Sequence, residues 1–241
     1  MASSPSQLCI HGNFVLIGKE PDGDSVRFVP TNPALLQELN RAYRIKPSTV
    51  DGSVQLRFEG IDAPELHYGA ALQPLGSVAR DALLSKVGFT NIQYKGTTVT
   101  DCTPKTIPGA ILAVMAEANG RPVSYILVGT QLPPDGEWVA VTDHILKQTM
   151  NYAMITNGMA YYTVYTSMPK HHRTVFHEAA QAARQQSAPL AAAAGAGVGV
   201  TASTSSATGN ATVWNLDSSR EFRLDDQNSI GPNGALILPK L

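Results

Sequence analysis

Hydrophobic and polar positions alternate in short stretches along the first half of the chain. The alternation predicts strands, with a turn at Pro21-Asp22-Gly23-Asp24 between the first two. Two later apolar runs flank Asn119-Gly120, a dipeptide that strongly favours a tight β-hairpin. The five predicted strands lie at 13–18, 25–29, 54–61, 110–116 and 121–128.

Helical periodicity follows in four other stretches. Apolar positions at 75–87 fall on one helical face, and the pattern at 32–43 suggests a short helix. Thr142 can cap a helix that ends at Gly158, and a last helix is predicted at about 169–186. The order of elements predicts an α+β fold that is mainly β: a five-stranded OB-fold barrel with about three helices packed outside.

The composition changes after residue 189. Residues 190–212 are rich in Ala, Gly, Ser and Thr without a regular period, which predicts a flexible linker. The alternative is the end of an Ala-rich helix. The interspersed glycines argue against this alternative, because glycine destabilises a helix. The segment 213–241 is too short to form a core alone. We therefore expect a main domain at 1–189 and a C-terminal segment that packs on it, belongs to a further unit or docks a protein partner.

Composition and charge limit the classes of protein to which this chain can belong. Charged residues make up 15% of the 241 residues, and the formal net charge is −1. This balance counts against a strongly basic DNA-binding surface but permits a local basic cleft. Cys9 and Cys102 are too few for a disulfide framework and are expected to be reduced. The start shows no signal-peptide pattern and no long apolar run predicts a membrane span, so we expect a cytoplasmic protein.

Three polar segments carry the candidate chemistry. The most informative ends a predicted strand and then delivers Asp62 and Glu65 within four residues. Pro64 keeps Ala63 extended, because the residue before a proline avoids helical geometry. A solvated ion pair between Arg57 and one of these acids is the alternative explanation. The segments are Asp22-Gly23-Asp24-Ser25-Val26, 57–65 and Asn119-Gly120-Arg121.

Together, in this order, the three segments resemble the staphylococcal nuclease family. The resemblance covers roughly 14–190 and is strongest at 54–86. The family's Asp-Gly-Asp-Thr-Val resembles residues 22–26, where Ser25 replaces Thr. The family's Val-Asp-Thr-Pro-Glu resembles residues 61–65, where Ala63 replaces Thr. The family's Tyr-Gly-Arg-Gly-Leu-Ala-Tyr resembles residues 119–125, where Asn119 replaces Tyr.

The family's Gly-Arg step can be aligned in two ways. We place it at Gly120-Arg121, on the predicted hairpin, which makes 91–109 an insertion. The alternative is Pro108-Gly109-Ala110, which contains no arginine. That alignment would remove one phosphate-binding residue and lower the activity.

The resemblance implies a Ca²⁺-dependent endonuclease that hydrolyses DNA or RNA and leaves 3′-phosphate products. Calcium prefers several oxygen ligands, a carboxylate can take a proton from the attacking water, and guanidinium groups match phosphate oxygens. The implied roles are metal binding by Asp24, Asp62 and the Ala63 carbonyl, general base catalysis by Glu65, and phosphate binding by Arg57 and Arg121.

Two tyrosines extend this assignment. Residues 158–165 resemble the family segment that brings tyrosines to the nucleotide, so Tyr162 and Tyr165 are candidates for stacking on a base, with core packing as the alternative.

For the whole chain, the alternative hypothesis is an inactive OB-fold module that binds nucleic acid or a protein partner. The near-neutral charge favours that alternative, whereas the complete set of acids and arginines favours the nuclease.

Overall fold

The computed structural model describes residues 6–66, 75–165 and 168–194. Its strands are β1 (Ser6–Val15), β2 (Arg27–Pro30), β3 (Val54–Gln55), β4 (Arg57–Phe58), β5 (Ile61–Asp62), β6 (Thr90–Lys95), β7 (Thr98–Thr103), β8 (Thr106–Ala116), β9 (Pro122–Val128), β10 (Trp138–Ala140) and β11 (Tyr161–Tyr162). Its α-helices are α1 (Gly76–Val87), α2 (Asp143–Gln148), α3 (Met150–Thr156) and α4 (Lys170–Ala194). Two 3₁₀ turns lie at Pro33–Glu38 and Ala42–Arg44.

The main sheet closes into a barrel through one short stretch of chain, Val54–Phe58. The strand order is β3-β2-β1-β8-β9-β4, and β10 adds to β1. β3 pairs with β2 at one edge, while β4, separated from β3 by Leu56, pairs in parallel with β9 at the other. Because the same stretch serves both edges, five strand segments surround one core. The predicted mixed fold, mainly β and of OB type, is confirmed.

The β8–β9 hairpin forms at the predicted place. Gly120 has φ of +82°, a left-handed conformation that glycine adopts without a steric penalty. The two strands pair from Gly109 opposite Val128 to Ala116 opposite Pro122. This pairing brings the residue after Gly120 to the start of β9, beside β4.

Two predicted helices are interrupted by single residues. The helix expected between Thr142 and Gly158 is divided into α2 and α3 at Thr149, whose hydroxyl accepts a hydrogen bond from Tyr152 N at 3.1 Å. The helix expected at 32–43 consists instead of two 3₁₀ turns, because Arg41 between them adopts a left-handed conformation with φ of 61°.

The stretch 91–109, predicted as an insertion, forms most of the β6–β7 hairpin and the first part of β8. The hairpin is tied to the chain after β1 by two backbone hydrogen bonds of Val99, of 2.8 and 2.9 Å. It is tied to α1 by Arg80, whose guanidinium carbon lies 3.9 Å from the ring centroid of Tyr94.

Helix α4 continues past the predicted start of the linker to Ala194, as the high helix propensity of alanine allows. The rest of the predicted linker and the segment 213–241 lie outside the described residues. None of the helices in the described ranges combines the length and the apolar character that a membrane crossing requires.

Candidate active site

The turn between β1 and β2 packs against the segment that follows β4. Asp22 N donates to Ser25 O at 3.1 Å, and Phe58 N donates to Asp24 O at 3.2 Å, which anchors the turn on β4. A Cβ atom on Gly23 would lie 2.6 Å from the Ala63 Cβ atom and 2.9 Å from that of Ala79. Small residues on both sides therefore bring the two acidic segments into contact.

Arg57 connects the acids at the centre of the site. Its Nη1 donates to Asp24 Oδ2 at 2.5 Å and its Nη2 to Asp62 Oδ1 at 3.0 Å. Asp24 is almost completely buried, with 4% of its surface exposed. Burial alone would lower the pKa of Arg57, but the charge of Asp24, followed by Tyr165 and Asp62, raises that pKa well above its ordinary value. The guanidinium is therefore a fixed positive charge.

Tyr165 holds Arg57 from the other side. Its hydroxyl accepts a hydrogen bond from Arg57 Nη2 and donates to Ile61 O at 3.5 Å. The guanidinium carbon lies 5.2 Å from the ring centroid, which is close enough for a cation–π contact. Tyr165 is half-buried, so it lies at the edge of the acidic cluster.

Glu65 forms a carboxyl pair with Asp22. Burial, the hydrogen bond with Asp22 and the charges of Asp24, Asp22 and Asp62 raise the pKa of Glu65 to about 9. Burial also raises the pKa of Asp22, while the hydrogen bond with Glu65 lowers it. Because the shared hydrogen bond raises the pKa of Glu65 and lowers that of Asp22, Glu65 is the proton donor in the pair and Asp22 is the acceptor. In this arrangement Glu65 carries a proton at neutral pH.

Asp22 is the site residue that sequence reasoning missed. The resemblance assigns only Asp24 of the Asp-Gly-Asp turn to the metal and gives Asp22 no role. Asp22 Oδ1 accepts from Gly23 N at 2.8 Å, and its Oδ2 accepts from Leu66 N at 3.5 Å. The signal in the sequence was a second carboxylate on a turn already assigned to the site.

Tyr162 lies in the core rather than at the site. It is 2% exposed, and its ring stacks on Phe176 of α4 with centroids 6.5 Å apart. The position in β11, opposite Ile61, turns the ring inward. The prediction that Tyr162 stacks on a base does not fit this burial, because a base needs an exposed ring face.

Arg121 lies just before β9 and pairs with an acid outside the acidic cluster. Its Nε donates to Glu117 Oε1 at 3.0 Å, and its side chain is 31% exposed. Arg57 lies opposite Val123 in the parallel β4–β9 pair. Arg121 precedes Val123 by two residues, so about 7 Å of extended chain separates it from the strand partner of Arg57. By contrast, Gly109 in the alternative alignment lies within β8, opposite Gly12 of β1.

The donor set has the chemistry of a site for a hard cation. With Glu65 protonated, the carboxylates of Asp24 and Asp62 pair with one guanidinium, that of Arg57, and Asp22 adds a third acid whose pKa responds to the charge of Asp24. Carboxylate oxygens in excess of positive charge suit Ca²⁺ or Mg²⁺. Across the described ranges, however, no group of three or more His, Cys, Asp or Glu side chains is placed so that it could hold a metal ion. Arg57 supplies the positive charge between Asp24 and Asp62 in this arrangement.

Comparison with known proteins agrees with the fold and the gathered residues. The family model described as staphylococcal nuclease homologue matches residues 55–190, more than half of the chain. A search of curated proteins finds no match. The matched range runs from β3 into α4 and contains every candidate site residue except Asp22 and Asp24, which lie on the turn before it. The chain therefore belongs to the staphylococcal nuclease family.

Proposed function

We propose that this protein is a nuclease that hydrolyses phosphodiester bonds of DNA or RNA with Ca²⁺ and leaves 3′-phosphate products. The observation that carries the proposal is the acidic cluster itself: Arg57 pairs with Asp24 and Asp62, and the charges of both acids act on Glu65. A module that only binds phosphate would use positive charge, and a buried carboxyl group beside two further acids would repel its ligand. Such a cluster suits metal-assisted hydrolysis.

Asp24, Asp62 and the Ala63 carbonyl are the groups that would hold the ion. Bound calcium would polarise the phosphate and favour the ionised form of the attacking water. The missing Thr side chain at Ala63 leaves the backbone oxygen in place. Asp24 is fixed by Arg57 and by the turn, so the protein presents this ligand without further ordering.

Glu65 would act as the general base. It must first lose the proton that it shares with Asp22, and positive charge brought into the cluster favours that loss. The ionised Glu65 would then take a proton from the water that attacks phosphorus. Asp22 would take up that proton and donate it in a hydrogen bond to the ionised Glu65, which keeps the Glu65 carboxylate oriented.

Arg57 and Arg121 would bind the phosphate oxygens as negative charge grows on them in the transition state. Tyr165 keeps the Arg57 guanidinium at the cluster, and its half-buried ring is the candidate for contact with a base. Arg121 would have to exchange Glu117 for phosphate, which its partial exposure permits.

A nucleic-acid-binding module without catalysis is the second candidate function. It is favoured by one observation: Arg57 already pairs with both Asp24 and Asp62, as it would in a structural ion-pair network. The two functions differ in whether the bound strand is cut.

The deciding experiment measures cleavage of labelled single-stranded and duplex oligonucleotides with added Ca²⁺ and then with chelator. We expect cleavage that stops on chelation, and a loss of about 10²–10⁴-fold in Glu65→Gln, because the amide cannot accept the proton. Glu178→Gln, which changes an exposed glutamate on α4, is the matched control and should cleave like the parent. Chelator-resistant cleavage, or full activity in Glu65→Gln, would contradict the mechanism; binding without cleavage would support the second candidate.

A further inference from the structure

The segment between β2 and β3 carries basic and aromatic side chains that the acidic cluster does not use. Residues 40–47 contain Arg41, Arg44 and Lys46 and no acidic residue, in a chain with a formal net charge of −1. All three basic residues are exposed, and Tyr43 between them is 78% exposed. An exposed ring among positive charges resembles the platforms on which single-stranded nucleic acid stacks.

The backbone of this segment is held firmly on the barrel. Leu39 and Ile45, on either side of the exposed residues, are buried in the core. Asn40 exchanges two backbone hydrogen bonds with β8, of 2.8 and 2.9 Å. Tyr43 is therefore presented to solvent by an anchored segment, which lowers the ordering cost of binding a ligand there.

Arg44 fixes the orientation of the Tyr43 ring. Its Nε donates to the Tyr43 hydroxyl at 3.3 Å, and its guanidinium carbon lies 5.5 Å from the ring centroid. Its Nη1 donates to Ala118 O, in the β8–β9 turn, at 3.0 Å. The ring and the guanidinium therefore form one unit that rests on the turn.

This unit contacts the β8–β9 turn, which leads into the strand that pairs with β4. A Cβ atom on Gly120 would lie 2.1 Å from the Arg44 carbonyl oxygen, so turn and segment are in direct backbone contact. Val123, three residues after Gly120, is the strand partner of Arg57. A short stretch of chain that contains Arg121 therefore links the contact of this unit with the turn to the strand beside Arg57.

We propose that Arg41, Tyr43, Arg44 and Lys46 bind single-stranded nucleic acid beside the acidic cluster. Tyr43 stacks on a base, while Arg41 and Lys46 contact phosphates. The inference that this strand is also the one that is cut rests on the proposed function. DNA and RNA offer the same stacking faces and phosphates, so both belong to this ligand class.

The test measures fluorescence anisotropy of the full chain with labelled oligo-dT and oligo-U of about 12 nucleotides, in chelator so that no cleavage occurs. Tyr43→Ala should weaken binding about 10-fold, because stacking is lost, whereas Tyr43→Phe keeps the ring and should bind like the parent. Replacing Arg41 and Lys46 by Gln should lower the slope of log affinity against log salt by about 0.7 for each contact removed.

Two matched controls change similar side chains elsewhere. Trp138→Ala removes another exposed ring, on β10, and Lys95→Gln removes an exposed lysine on β6. Both should leave the affinity unchanged. A duplex of the same length should bind more weakly, because paired bases hide their faces. Circular dichroism confirms that each variant is folded.

The results separate this proposal from the nuclease proposal. Parent affinity in Tyr43→Ala, equal losses in the controls, or no measurable binding by the parent would overturn strand binding, whether or not the protein cleaves. Binding that depends on Tyr43 without any cleavage would support strand binding and reject the nuclease. Cleavage with Ca²⁺ together with binding that does not depend on Tyr43 would do the reverse.

Discussion

At the scale of single residues, the site depends on how closely two backbone segments approach. Gly23 sits between Ala63 and Ala79, and this contact sets the distance between the turn acids and the acids after β4. The alanine in place of the family's Thr at position 63 is part of the same tight packing. Glycine and alanine at these positions are therefore as important as the charged residues they bring together.

Gly23→Ala should destabilise the protein and lower its activity together. The new methyl group would overlap both alanine side chains, and overpacking of this kind costs about 1–3 kcal/mol. Urea unfolding measures the change in the free energy of unfolding. Gly96→Ala is the control: its Cβ meets nothing within 4 Å, so only its left-handed backbone, with φ of 63°, adds a cost of about 1–2 kcal/mol, and activity should stay intact. Unchanged activity in Gly23→Ala would show that the spacing of the turn is not critical.

Motif spacing in the sequence singles out Asp24, Arg57 and Asp62, which the structure brings into contact. It did not identify Asp22 as a partner of Glu65, since the pairing of two carboxyl groups depends on burial that spacing does not encode. Tyr162 and Tyr165 looked equivalent in the sequence. Only the register of β11 against β5 separates the buried ring from the half-buried one.

At the scale of elements, α4 is fixed to the barrel by a buried hydrogen-bonded histidine. His172 Nδ1 accepts from the Tyr125 hydroxyl at 3.0 Å, and its Nε2 donates to Val141 O at 3.2 Å. Both partners are satisfied by the neutral ring. Burial is the main cause that lowers the pKa of His172, from 6.5 to about 4.

This histidine should make the protein less stable in acid. Because the unfolded chain binds the proton near pH 6.5 and the folded one only near pH 4, the stability that His172 contributes is complete above pH 6.5. It is lost as the pH falls to 4, by up to about 3 kcal/mol. His172→Gln keeps a donor and an acceptor but does not titrate. In this variant the free energy of unfolding, measured with urea at several pH values between 4 and 6.5, should therefore change less with pH. An identical slope would assign the acid sensitivity to other groups.

Element types were predictable where the pattern was regular, as for α1 and the β8–β9 hairpin. Boundaries depended on single residues with unusual roles: Thr149 caps a second helix, and Arg41 adopts a left-handed conformation. The β6–β7 hairpin was missed because its exposed strands carry little alternation of apolar residues and its stability comes from contacts with α1 and the chain after β1.

At the scale of the whole molecule, the net charge is close to zero, but acidic and basic residues are concentrated in different segments. The acids that pair with Arg57 lie beside β4, and the basic residues from Arg41 to Lys46 belong to a segment that contacts the β8–β9 turn. A net charge near zero therefore does not exclude a local basic segment. The pairing of Arg57 with Val123 fixes β4 against β9, the strand that follows this turn.

The central claim is that Asp24 and Asp62, with the Ala63 carbonyl, form a cation site, and calcium titration by calorimetry tests it most directly. The full chain should bind one Ca²⁺ ion in the absence of nucleic acid, and Asp62→Asn should lose that binding while staying folded, because one of two carboxylate ligands is gone. Asp81→Asn, on the exposed face of α1, should bind like the parent. A parent protein that takes up no calcium, or an Asp62→Asn variant that binds it equally well, would contradict the account.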